Sequence, residues 1–131
     1  MEITENKKEV AKMYVKALKF PIISAVIVGL LHLISEAIFP DLKGLFQPAV
    51  VALVVTAFGI WVGYKAVQFG GNYGSVIVVG VILGILPLFL QIVGFGLLLG
   101  RGMTAGVLGG IFGFDMALFG ALIGGGFALS K

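Results

Sequence analysis

Apolar residues fall into four long blocks along this chain, separated by short polar or glycine-rich breaks. The first runs from about residue 21 to 39, with Pro21 at its entrance and Pro40 just past its exit. The second, about 48–69, also opens on a proline, which suits a first helical turn because its missing N–H has no partner to lose there. Gly70-Gly71-Asn72-Tyr73-Gly74 is a turn signal, and the third block follows at about 75–99. Gly100-Arg101-Gly102 interrupts the chain before the fourth, at about 104–129. Each block is close to the ~20 residues that a helix needs to cross the hydrocarbon core. The many valines and isoleucines would suit strands, but the runs are too long and lack the alternation of a transmembrane barrel. The pattern predicts an all-α integral membrane protein with four transmembrane helices.

Ahead of the first block, Val10, Met13, Tyr14, Ala17 and Leu18 recur at helical spacing, while Lys8, Lys12, Lys16 and Lys19 take other directions. This predicts a short amphipathic helix lying at the membrane surface, with the chain turning inward at Pro21. The division that follows is a juxtamembrane segment, 1–19, and a four-helix transmembrane unit, 20–131. A cleaved signal peptide is not expected: Glu2, Glu5 and Glu9 mix with the lysines, and His32 and Glu36 interrupt the apolar run.

Within the fourth block, small residues return every four positions: Ala105, Gly109, Gly113, Ala117, Ala121 and Gly125. On a helix this row forms a shallow groove along one side, where a neighbouring backbone can come close. Gly59/Gly63 and Gly80/Gly84 are further small pairs at the same spacing. Of the 21 glycines, 12 lie from Gly94 onward, so packing surfaces concentrate in the second half. The expected bundle is tightly packed through these faces.

Composition agrees with a membrane setting. Of the 131 residues, 60% are hydrophobic and 11% charged, whereas soluble domains carry about 25% charge. The net charge of +3 does not point to nucleic acid, because five of the nine basic residues precede the first apolar block. Placing both termini in the cytoplasm puts Lys7, Lys8, Lys12, Lys16, Lys19, Lys65 and Lys131 inside and only Lys43 and Arg101 outside. The plasma membrane of a prokaryote is the expected location. Absence of cysteine removes disulfides, thiolate metal sites and cysteine nucleophiles. No catalytic, cofactor or metal-ligand grouping is legible, so the chain does not read as an enzyme.

Five of the polar residues within the apolar blocks are candidates for chemistry. Asp115 is near the middle of the fourth, where an aspartate costs roughly 2.5–3.5 kcal/mol on insertion scales. It lies about 200° around the helix from Gly113, opposite the small-residue groove. Counting ~1.5 Å per residue from the cytoplasmic ends places Thr56, Glu36 and Gln91 near its height, with His32 one turn below Glu36. Each block thus contributes a polar group to one layer, the composition from which proton relays are built. Pro87 is expected to kink the third helix beside that layer. Glu36 has a simpler alternative, pairing at the outer boundary with Lys43 or Arg101.

Two functions fit. One is an oligomeric proton, ion or small-solute transport or channel-type protein using Asp115. The other is a non-catalytic accessory or scaffold subunit of a larger membrane complex. Both require the lipid bilayer and either further copies of the chain or a membrane-protein partner.

Overall fold

The breaks between apolar blocks end helices for local chemical reasons. In the computed structural model, which describes residues 2–38, 48–98, 100 and 102–130, the elements are α1 (Glu2–Ile38), α2 (Pro48–Gln68), α3 (Tyr73–Phe89) and α4 (Met103–Leu129). The α3 helix continues directly into a π-helical stretch, Leu90–Leu98. Between α2 and α3, Gly70 takes φ +99°, a conformation that costs glycine nothing. Asn72 then caps α3. Its Oδ1 accepts from the Ser75 backbone N–H at 3.1 Å, and the Ser75 hydroxyl oxygen accepts from the Asn72 N–H at 3.2 Å. This reciprocal pair satisfies two donors that a helix start leaves open. Gly102, at φ +97°, leads into α4, and its N–H donates to the Gly96 carbonyl at 3.0 Å.

All four helices are long and apolar enough to cross a membrane. The chain is an all-helical protein, with no strand among the described residues.

Direct approaches establish the helix directions. Gly29 sits against Leu90 and Gly94 against Leu33, so α1 and α3 run parallel with an offset of 61 residues (90 − 29 and 94 − 33). Gly59 meets Ala117 and Gly63 meets Ala121, so α2 and α4 are parallel to each other. Gly80 faces Leu118, Gly84 faces Phe114 and Gly110 faces Leu88, making α3 and α4 antiparallel. The chain therefore runs up, down, up, down. The α4 helix packs on α2 and α3, and α1 lies on the far side of that pair. Among the described residues, no Cα of α1 comes within 8 Å of one in α4.

Small side chains share the core with Val62, Val76, Val79 and Leu83, and many large ones lie outside it. Ala17, Ala66, Ala117 and Ala121 are fully buried, while Leu53, Leu108, Phe119 and Phe127 point outward. Lipid is as apolar as leucine, so large side chains gain nothing by hiding; small ones inside let backbones touch.

The chain departs from the expected N-terminal architecture. It does not turn at Pro21, because α1 is one helix of 37 residues with Pro21 inside it. At ~1.5 Å per residue it is about 55 Å long, against about 30 Å of hydrocarbon. The physical reason is packing that runs through the proline, with Ile22 and Ala25 beyond it set against the same core. Met13, Ala17, Leu18 and Pro21 are buried, and Ala17 and Leu18 join Val62, Ala66, Val76 and Val79 in one apolar cluster. The stripe expected to rest on the membrane surface thus packs against the α2–α3 end of the bundle, with Lys8, Lys12, Lys16 and Lys19 exposed around it.

Candidate functional site

The α4 helix has two small-residue edges rather than one groove. In the row read from the sequence, Gly113, Ala117, Ala121 and Gly125 are buried, Gly109 is half-buried and Ala105 is exposed. A second set, Gly106, Gly110, Gly120 and Gly124, is also buried. Gly120 and Gly124 face α2: a methyl group on Gly124 would strike the Ile60 carbonyl, and one on Gly120 the Thr56 carbonyl. Gly110, Gly113 and Gly125 face Leu88, Pro87 and Val76 of α3. Two helices packed on one demand two edges. The signal for the second was present in the sequence as Gly106/Gly110 and Gly120/Gly124, both at four-residue spacing.

Pro87 is followed by a change of helix type. Without an N–H, proline leaves the carbonyl four residues earlier without its helical donor. Just beyond it, the Leu90 N–H is shared between the Leu86 and Pro87 carbonyls, and the wider π-helix begins. Gln91 lies in that stretch and is half-buried, its amide laid against Gly109, where an added methyl would come within 2.8 Å of Oε1. Gly109 therefore seats a polar side chain.

The polar residues do not converge on one point. His32 and Glu36 form an i, i+4 pair on α1, with Nε2 and Oε2 3.9 Å apart and the two side chains only 13% and 7% exposed. Lys43 and Arg101, the alternative partners for Glu36, lie outside the described residues. The Thr56 hydroxyl donates to the Ala52 carbonyl of its own helix at 2.7 Å. Asp115 is exposed. It stands midway along an outward strip of Leu108, Ile111, Phe112, Phe119 and Ile123, on the one helix that makes no contact with α1. The layer inferred from height alone is thus divided: His32 and Glu36 sit on one flank of the bundle and Asp115 on the other.

Between α1, α2 and α3 lies a partly open cavity of about 400 Å³. Its wall is almost wholly apolar, with His32, Ser35 and Gln91 supplying the polar side chains. Among the described residues no group of three His, Asp or Glu side chains could hold a metal ion.

At the end that carries the N-terminal lysines, Lys16 of α1 and Lys65 of α2 both approach the Phe69 ring, at 6.0 and 5.6 Å from its centroid. These cation–π contacts hold two ammonium groups beside one aromatic edge at the end of the spans. Trp61 and Tyr64 lie one turn away on α2.

No protein-family model matches this chain, and neither a similar curated protein nor a similar solved structure was found. Its class therefore rests on its own geometry: a helical protein with four apolar helices of membrane-spanning length.

Proposed function

We propose that the chain is a non-catalytic subunit of a larger membrane assembly, held there by the outward face of α4. The observation that carries this reading is Asp115, an exposed carboxyl in the middle of an apolar strip. Facing hydrocarbon, it costs roughly 2.5–3.5 kcal/mol. A transmembrane helix of another protein bearing a lysine, an arginine or a strong hydrogen-bond donor at that depth removes the cost. Leu108, Ile111, Phe112 and Phe119 surround the carboxyl with ordinary packing surface for such a helix. The rest of the bundle supports the same reading, since its small-residue faces are already engaged among α2, α3 and α4.

A proton or ion path within one copy has less support. The cavity is apolar, and His32 and Glu36 stand on a helix that does not reach α4. A transport function would have to run between copies, around Asp115. The excess of lysine on one side favours cytoplasmic termini, in the plasma membrane of a prokaryote.

Mild extraction from the native membrane tests the proposal. Wild type is expected to bring a defined membrane partner, Asp115→Leu to lose it, and Asp115→Asn to retain a weakened association if the contact is mainly a hydrogen bond. Recovery of a lone homo-oligomer, together with a proton or cation flux in vesicles that Asp115→Asn abolishes, would replace this reading with transport.

A further inference from the structure

The α4 face leaves the cavity on the opposite flank unexplained, and that cavity has the form of a ligand site. Its volume, about 400 Å³, falls within the ~300–1,000 Å³ usual for small-molecule sites. Several wall residues, among them Val26, Leu30, Val54 and Phe89, are 37–64% exposed, so the rim is an apolar surface of the bundle. In a bilayer such an opening faces acyl chains, and an apolar molecule can enter sideways without crossing water.

The site has two chemically different ends. With α1 and α3 parallel and offset by 61 residues, Gln91 stands level with residue 30 of α1. His32 and Ser35 lie within about 8 Å of that level along the helix axis. The polar side chains of the wall therefore cluster at one end, while Ala25, Phe58 and Leu83 form the other. The Leu90 side chain of the π-helical stretch rests on Gly29 of α1, where an added methyl would come within 2.9 Å of its Cδ2. Pro87 and the π-helical stretch determine where Leu90 and Gln91 stand.

We propose that this cleft binds a bilayer-dissolved amphiphile with a single apolar chain and an uncharged oxygen-bearing head. The chain lies along Ala25, Phe58 and Leu83, and the head meets His32 and Ser35. The head is uncharged because the ionisable side chain in the wall, His32, already faces Glu36 at 3.9 Å, so the polar end is balanced. A charged head would need a counter-charge that the described wall does not supply. The Ser35 hydroxyl can both donate to and accept from an alcohol or carbonyl oxygen.

The test uses the full chain in phosphatidylcholine nanodiscs and a palmityl alcohol bearing a mid-chain diazirine and a terminal alkyne. After photolysis, adducts are expected on peptides containing Ala25, Val55 or Leu83. Unlabelled palmityl alcohol should compete roughly tenfold better than palmitate or hexadecylamine. Ala25→Phe and Val55→Phe, each filling the cleft from a different helix, should remove those adducts while circular dichroism and melting stay as in wild type. Adducts spread evenly over the outward faces of all four helices would overturn the site. Equal competition by the three head groups would overturn the assignment of an uncharged head. Neither result bears on Asp115, so this inference and the proposed function fail separately.

Discussion

At Gly124 the absence of a side chain decides how closely two helices approach. An added methyl would meet the Ile60 carbonyl of α2, and backbone cannot swing aside as a flexible side chain can. Gly124→Ala is therefore expected to separate α2 from α4 and to destabilise the bundle by about 1–3 kcal/mol, the usual range for overpacking. Gly126 is the matched control: nothing lies within 4 Å of its added methyl, and alanine favours helix. Thermal unfolding of both variants in detergent should show a lowered midpoint for Gly124→Ala and an unchanged or raised one for Gly126→Ala. Thr56 supplies a contrast of another kind. Its hydroxyl bonds only to Ala52 of its own helix among the described contacts, so Thr56→Val should cost no more than about 0.6 kcal/mol, the average for membrane-helix hydrogen bonds. A much larger loss would mean that Thr56 serves a neighbour. The Asp115 carboxyl could be read from the sequence as expensive, and its azimuth opposite Gly113 followed from 100° per residue. Its separation from His32 and Glu36 could not, because height along a helix says nothing about which neighbour stands beside it.

Among the elements, α1 differs most from the sequence expectation. Periodicity in Val10, Met13, Tyr14, Ala17 and Leu18 correctly marks a helix with one apolar face. Its Ala17–Leu18 part meets Val62, Ala66, Val76 and Val79, while Val10 stays exposed. Amphipathicity reports that a stripe is covered, not what covers it. Spin labels at residues 10 and 27 should lie about 25 Å apart along a straight α1, 17 residues at ~1.5 Å each. A clearly shorter separation by pulsed electron resonance would restore a turn at Pro21. In α3, Pro87 announces a disturbance, and the helix beyond it widens into a π-helical stretch, with Gly106 and Gly109 of α4 close against it.

For the molecule as a whole, the up-down-up-down path brings the start of α1 and the end of α4 to the same end of the bundle. The chain has no cysteine, so single cysteines report cleanly. Cysteines replacing Asn72 or Ser130 should be labelled by an impermeant maleimide from the same side, and one replacing Gly102 from the other. Labelling of Ser130 from the side of Gly102 would break the up-down-up-down path. The arrangement also explains why α1 is set apart. Glycine-faced approaches tie α4 to α2 and α3, whereas α1 is anchored chiefly by Ala17, Leu18 and the Gly29 and Leu33 contacts, which leaves room for the cavity.

The number of long apolar helices, their helical nature and the break at Gly70–Gly74 follow from the sequence alone, because length, hydropathy and turn chemistry are local properties. Only the tertiary structure decided that α1 continues through Pro21, that α4 uses Gly120 and Gly124 beside its longer small-residue row, and that Asp115 faces away from the bundle. The reason is physical. In water, apolar positions identify the inside of a protein; in a bilayer the surroundings are as apolar as the core, so the same pattern leaves inward and outward faces undistinguished until the helices meet.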